Sequence, residues 1–293
     1  MPGAVASRVR FGEALRWGNR LLSESSESSR ADAALLLAHV ARQTREWIVA
    51  HDDELLAPAQ LSEFAAMCER RRSGLPVAYL LGSAGFYGRE FLVNENVLVP
   101  RAETEHLVDE AVAFIRGPMR VLDVGTGCGA IACTIAAETN AAVDGTDISS
   151  DAIEIAKENV RRLRVADRCR FHRGDLIDPV ARDKFDVIVA NLPYVPTPDL
   201  PQRPGAAFFE PREALDGGPD GLDLYRRLLL LLPALLNERT LLLLEAAPPT
   251  IPALADIVRS ALPHVTIAIG RDYAGLARYV KAQAQVTNQC PPN

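Results

Sequence analysis

Lysine is nearly missing from this sequence: Lys157, Lys184 and Lys281 are the three in 293 residues, and arginine supplies the rest of the positive charge. We read that bias as genomic composition. With 32 Lys and Arg against 38 Asp and Glu, the formal net charge is −6 at pH 7. That balance argues against a protein built as a whole to wrap nucleic acid, because counterion release from a basic face supplies the affinity of such binders. Cysteine is sparse, with Cys68, Cys128, Cys133, Cys169 and Cys290 scattered and no CxxC among them. The odd number and absent pattern argue against a disulfide framework or a zinc site, so no metal is expected and the thiols are expected to be free. Long apolar runs are absent too. Leu228–Leu236 (LLLLLPALL) is too short to span a bilayer and Pro233 interrupts it. The opening MPGAVASRVRFGEALRW lacks the apolar core of a signal peptide. A soluble, cytoplasmic chain with no membrane partner is the expectation.

What is present is the composition of a folded protein, 48% hydrophobic and 24% charged. The length suits one large domain and a small one. Up to about residue 75, apolar positions recur near every 3.6 residues in Phe11–Leu22, Arg30–Arg42, Thr44–His51 and Ala59–Arg72, which predicts four helices. Ser28 and Ser29 are candidate caps for the second and Pro58 a candidate opener of the fourth, while Gly74 after Arg70–Arg72 suits a helix end. The arginine run could meet an acidic partner, but a solvated helix terminus is the plainer meaning. Residues 76–100 form the linker, in which Ser83–Val99 predicts a hairpin around Gly88 and Asn94–Asn96.

From Val121 the texture changes to short apolar strands alternating with amphipathic helices. The predicted strands are Val121–Val124, Ala142–Thr146, Cys169–His172, Phe185–Ala190, Thr240–Glu245, Thr266–Ile269 and Ala277–Val280. Helices are predicted over Ala130–Glu138, Asp151–Leu163, Leu222–Leu236 and Ile251–Leu262. Such alternation implies an α/β fold with a mostly parallel sheet covered by helices. The polar stretch 286–293 is expected to fray.

Three features at strand ends point to a nucleoside. VLDVGTGCGA at Val121–Ala130 sets Gly125, Thr126, Gly127, Cys128 and Gly129 between a strand and a helix, where missing Cβ atoms admit a ligand to free N–H groups. Its GxGxG spacing differs from the GxGxxG of dinucleotide sites. Asp147 closes the next strand, where a carboxylate can accept both ribose hydroxyls, although it could instead cap the following helix. Asp175 after the third strand can accept from an adenine amino group between Ile148 and Leu176, or serve as a turn residue beside Gly174. Open α/β sheets bind ligands at the carboxyl ends of successive strands, and all three features fall there.

The fourth strand runs into Asn191-Leu192-Pro193-Tyr194. Here the sequence resembles N-methyltransferases with an (Asn/Asp)-Pro-Pro-(Tyr/Phe/Trp) motif, and in detail the family that methylates a glutamine side chain in peptide-chain release factors. The resemblance runs through FYG at Phe86–Gly88, VPRAETE at Val99–Glu105, DVGTGCGAIA at Asp123–Ala132 and GTDIS at Gly145–Ser149. It continues through ANLPYVP at Ala190–Pro196, EPREALDGGPDGLDLY at Glu210–Tyr225, Glu245 and RDYAGLAR at Arg271–Arg278. Two positions depart from that pattern: Leu192 stands where the motif has proline, and Ala102 where PRPETE has its second proline. NLPY is also the form of ribosomal-RNA adenine dimethylases, which methylate another planar exocyclic nitrogen.

The chemistry requires such a motif. An amide nitrogen is a poor nucleophile, so acceptors must hold its NH₂ in line with the methyl donor. The Asn191 oxygen and the Leu192 carbonyl can accept, Pro193 stiffens the turn, and Tyr194 can stack on the amide plane. The resemblance implies S-adenosylmethionine as cofactor, held by residues 125–129, Asp147, Ile148, Asp175, Leu176 and Asn191. It implies a seven-stranded Rossmann-like methyltransferase domain at 101–285 behind an N-terminal helical substrate-docking domain (1–75). The implied partner is a release factor met through its Gly-Gly-Gln loop, with the enzyme a monomer forming no stable nucleic-acid complex. An adenine-N6 methyltransferase is the leading alternative, and the absence of a Lys/Arg-rich segment counts against it. A nicotinamide oxidoreductase lacks support, since no Tyr-x-x-x-Lys pair occurs. A non-catalytic scaffold would have no need of the intact loop, Asp147 and NLPY. Roles for Arg101, Glu103, Glu105 and the 195–222 loop stay open.

Overall fold

A computed structural model describes residues 8–202, 205–272 and 274–284; Cys290 and the 286–293 tail lie outside them. Contacts divide the chain into two units, Met1–Ser83 with Pro201–Glu210, and Ala84–Leu200 with Pro211–Asn293. Composition did not signal that the 195–222 loop is shared between the two.

The first unit is helical: α1 (Phe11–Leu22), α2 (Ser29–Ala41), α3 (Arg45–Ala50), α4 (Pro58–Arg72) and α5 (Val77–Leu81). Ser28 stands at the N-cap of α2 and Pro58 opens α4. The last, five-residue helix falls where sequence reading had only linker. Apolar stripes of α1, α2 and α4 bury Leu22, Leu36, Leu37 and Phe64 completely. Gly18 is small because a Cβ there would meet the Phe64 ring at 2.7 Å. The arginine run is not simply a solvated end. Arg71 pairs with Asp32 at 2.7 Å with both side chains largely buried, while Arg72 pairs with Glu69 on the surface.

At the unit boundary a hairpin follows, β1 (Ser83–Phe86) and β2 (Arg89–Leu92), that turns at Tyr87-Gly88 and lies, from Ala84 on, in the second unit. Tyr87 (φ +50°) and Gly88 (φ +69°) both adopt the left-handed conformation such a turn uses. The expectation that Asn94–Asn96 also belonged to the hairpin turn is corrected: these residues follow β2 as a separate turn. After it come α6 (Glu105–Phe114), β3 (Arg120–Val124), α7 (Ala130–Glu138), β4 (Ala142–Asp147), α8 (Ser150–Leu163), β5 (Cys169–Arg173) and β6 (Phe185–Ala190). The unit closes with α9 (Asp223–Leu231), β7 (Leu236–Glu245), α10 (Ile251–Ala261), β8 (Val265–Arg271) and β9 (Ala277–Ala284).

The seven-stranded sheet has the order β5-β4-β3-β6-β7-β9-β8. The first five strands pair in parallel, and β9 runs antiparallel between β7 and β8. The chain leaves β3 toward one edge and returns through β6 on its other side, so β3 and β6 flank the switch point where open sheets carry ligands. Val121, Leu122, Val124, Val187 and Ile188 are fully buried, as strands covered on both faces must be. One prediction fails here: the leucine run is not a single helix to Leu236. The α-helix stops at Leu231, Pro233 sits in a 3₁₀ turn (Leu232–Ala234), and Leu236 opens β7, because proline cannot continue the helical hydrogen bonding. No helix is long and apolar enough to cross a membrane, and no group of three or more His, Cys, Asp or Glu could hold a metal, among the described residues.

Candidate active site

The turn after β3 is built from three left-handed glycines, Gly125 (φ +73°), Gly127 (φ +55°) and Gly129 (φ +80°). Two are hemmed in as well. A Cβ at Gly125 would meet Leu192 Cδ2 at 2.8 Å, and one at Gly129 the Phe171 ring at 2.9 Å. The turn is tied to the end of β4, because Gly125 and Thr126 N–H both donate to the Thr146 carbonyl at 2.9 Å. The Asp147 carboxylate accepts Gly127 N–H at 2.8 Å on one oxygen and Ser149 N–H at 2.9 Å on the other. Each oxygen keeps lone-pair capacity for a further donor. Capping α8 falls to Ser149, whose hydroxyl accepts Ala152 N–H at 3.3 Å. Burial raises the Asp147 pKa against the opposing pull of these backbone donors.

Beneath the turn, Asp123 is fully buried. Its Oδ2 accepts Thr126 Oγ1–H at 2.6 Å and Ala132 N–H at 3.2 Å, while Oδ1 has no partner. Burial pushes this carboxyl up to about 7, offset only in part by the two donors.

A cavity of about 350 Å³ opens beside the turn. Of the residues singled out from sequence, Gly125, Gly127, Asp147, Ile148, Asp175, Leu176, Asn191, Leu192 and Pro193 line it, whereas Thr126, Cys128, Gly129 and Tyr194 do not. Thr126 and Cys128 are buried supports of the turn. Tyr194 packs against the core, and burial pushes its hydroxyl up to about 12. Asp175 already has a partner, the Arg227 guanidinium, so any ligand must share that carboxylate. Sequence reading missed Arg227 and the Asn96–Leu98 wall, both of which line the cavity; Pro211, Glu213, Ala214 and Asp216, from the loop whose role it left open, line it too. Buried Asn159 ties the end of β2 to the glycine turn, its side chain bonding both backbone groups of Leu92 and the Cys128 carbonyl.

At the end of β6 a buried network holds the Asn191–Tyr194 turn. Leu192 N–H donates to the Tyr225 hydroxyl at 3.1 Å, and that hydroxyl donates in turn to the Glu245 backbone carbonyl. Asn191 Nδ2 donates to Thr104 Oγ1 at 3.1 Å, and the Thr104 hydroxyl donates to Glu245 Oε1 at 3.1 Å. Thr104 and Glu245 are 4% and 3% exposed, and Glu245 Oε2 has no partner. Burial pushes Glu245 up to about 7. Close by, Arg278 pairs with Glu103 at 3.4 Å and Asp272 at 2.7 Å, so the VPRAETE and RDYAGLAR segments meet behind the turn.

The glycine turn, the acidic end of β4 and the switch-point cavity define a methyltransferase. Residues 115–226 match the family model for a methyltransferase domain, and a solved methyltransferase from Pyrococcus furiosus shares the fold. Its TM-score is 0.51 at 19% identity, with 76% of this chain and 98% of that one covered. More narrowly, residues 13–82 match the PrmC N-terminal domain. The chain is 34% identical to the release factor glutamine methyltransferase of Bacillus anthracis over 94% of its own length and 100% of the relative's. It is 40% identical to that of Moorella thermoacetica, over 92% and 96%. The chain belongs to the release factor glutamine methyltransferase family, and membership implies use of S-adenosylmethionine.

Proposed function

We propose that this protein methylates the side-chain amide nitrogen of a glutamine in the Gly-Gly-Gln loop of a class I peptide-chain release factor. The residues present fit the implied cofactor. At Gly127 the turn leaves open space that a side chain would enter, Asp147 keeps acceptor capacity for ribose hydroxyls, and Ile148 and Leu176 offer apolar walls to an adenine ring. Asp175, shared with Arg227, is within the same wall. When bound, S-adenosylmethionine supplies a sulfonium methyl group, so that an S–C bond breaks, an N–C bond forms and the amide nitrogen releases a proton to solvent.

The chain's own task is positioning. The observation that carries this proposal is the Asn191–Pro193 turn in the wall of the same cavity as Gly125 and Asp147. With its Nδ2 engaged by Thr104, Asn191 has Oδ1 left to accept one N–H of the target. The Leu192 carbonyl can accept the other, because the nearby Tyr225 hydroxyl is directed to Glu245. Two acceptors fixed in advance orient a weak nucleophile without a strong base. The relatives' names support a release factor as acceptor.

The test is a methyl-transfer assay comparing purified release factor with ribosomal RNA, read by mass spectrometry. Methylation of a release-factor glutamine, lost in Asn191→Ala while S-adenosylhomocysteine still binds, is the expected result. Methylation of adenine alone would refute the acceptor.

A further inference from the structure

The Asn191 side chain has two nearly isosteric ends with opposite hydrogen-bonding character, and only one orientation can grip an amide NH₂. Something must therefore fix which end faces the target. Resting on the reading of the site above, we propose that Thr104 and Glu245 act as a polarity lock on Asn191. The Glu245 carboxylate takes the Thr104 hydroxyl proton, the Thr104 oxygen is thereby an acceptor for Asn191 Nδ2, and Asn191 Oδ1 is left as the acceptor toward the cleft.

The chain of bonds has one consistent direction when Glu245 is ionised. A carboxylate can only accept, so Thr104 Oγ1–H must point to Glu245 Oε1, at 3.1 Å. The hydroxyl has one proton, so its remaining capacity toward Asn191, also at 3.1 Å, is acceptance. Neutral Glu245 removes the constraint. A protonated carboxyl can donate to Thr104, the Thr104 proton can turn to Asn191, and the amide can then present NH₂ to the target NH₂. Two donors opposed give no grip.

The lock is buried where solvent cannot replace its members. The groups that set its charge come from every neighbouring element. Glu103 precedes α6 and favours the neutral form of Glu245, Arg278 on β9 favours the ionised form, and Tyr194 and Tyr225 face it from the β6 turn and α9. Thr104 and Glu245 are positioning residues: they touch Asn191, not the reacting atoms.

The experiment is single-turnover methylation of release factor at saturating cofactor by wild type, Thr104→Ser, Thr104→Val, Glu245→Gln and Asn191→Ala. Each variant is checked for S-adenosylhomocysteine binding by calorimetry. Thr104→Ser keeps the hydroxyl and should retain the wild-type rate within about twofold. Thr104→Val keeps the shape alone and should slow transfer by about tenfold or more, the loss expected when a transition-state hydrogen bond loses its orientation. The wild-type rate should rise with pH through about 7, and Glu245→Gln should lose that rise. In the cofactor-free protein, the Asn191 side-chain amide NMR signals should follow the same titration and cease to do so in Glu245→Gln. A Thr104→Val enzyme at the wild-type rate, a Thr104→Ser enzyme as slow as the valine, or an unchanged pH rise in Glu245→Gln would overturn the lock. If Asn191→Ala itself turns over normally, it is the assignment of the site that fails.

Discussion

Tyr225→Phe removes one oxygen atom and no packing volume, so its effect isolates what a single hydroxyl does for the active-site turn. Tyr225 is fully buried, and its hydroxyl accepts Leu192 N–H and donates to the Glu245 carbonyl. Phenylalanine would leave two buried backbone groups without partners. Each such orphan costs about 1–3 kcal/mol, which puts the upper limit near 6. Some relief is available, because β6 and β7 are adjacent parallel strands and the freed donor and acceptor lie within one layer. We therefore expect about 2 kcal/mol, equivalent to roughly 4–8 °C in Tm for a unit of this size. Function should suffer separately: the Leu192 carbonyl loses its rigid mount, so single-turnover methylation should slow while S-adenosylhomocysteine affinity holds. Scanning calorimetry and rapid-quench methylation read the two effects. A variant with wild-type Tm and rate would show that the hydroxyl is incidental and that the turn is held by packing alone.

Other expectations follow from the cofactor turn. Asp147→Ala should weaken S-adenosylhomocysteine binding about 10- to 150-fold by calorimetry, the loss of a charge-assisted hydrogen bond. Because burial raises the Asp147 pKa, wild-type affinity should begin to fall at a higher pH than an ordinary aspartate would dictate as the solution is acidified. Gly125→Ala should lose both stability and cofactor binding, since alanine must adopt φ +73° and its Cβ collides with Leu192; normal binding would contradict that contact. Asp123 gives a test in the cofactor-free protein. Its carboxyl sits at about 7 in the fold against 3.8 ordinarily, so between those values the native state holds a proton that the unfolded chain has released. Its contribution to stability is greatest in acid and declines as pH rises to about 7. Urea titrations at pH 5 and 8 should show a smaller decline in Asp123→Asn, and an unchanged decline would remove Asp123 as its source.

Much of the fold was legible because local pattern and tertiary role agree. The central strands at Val121–Val124, Phe185–Ala190 and Leu241–Leu244 are apolar runs, and they are buried on both faces as such runs require, whereas the edge strands β5 and β8 are largely not. The glycine turn, Asp147 and Asn191 were legible for a related reason: they stand at strand ends, and strand ends are found by periodicity. The leucine run misled because leucine serves helix and buried strand alike, and only Pro233 marked the change. The bonding of the holding network was not legible, although Thr104, Tyr225 and Glu245 all stand in the stretches that carry the family resemblance. Thr104 lies 141 positions from Glu245 and 87 from Asn191, and nothing local about a threonine in a first turn announces a partner across the sheet. Arg227 escaped notice in the same way, as one of two adjacent arginines on an amphipathic helix.

The bond between Leu192 N–H and the Tyr225 hydroxyl constrains how this sequence could have come to differ from the Pro-Pro form of the motif. Proline at 192 has no hydrogen to give, so beside it a hydroxyl at 225 would answer only the Glu245 carbonyl. Tyr225→Phe should thus do less harm in a Leu192→Pro background than in the present one, and the two substitutions should be non-additive. Of the two paths from Leu-Tyr to Pro-Phe, the one that changes 192 first crosses the shallower valley. Residue 192 thereby sets how freely position 225, on another element of the fold, can drift.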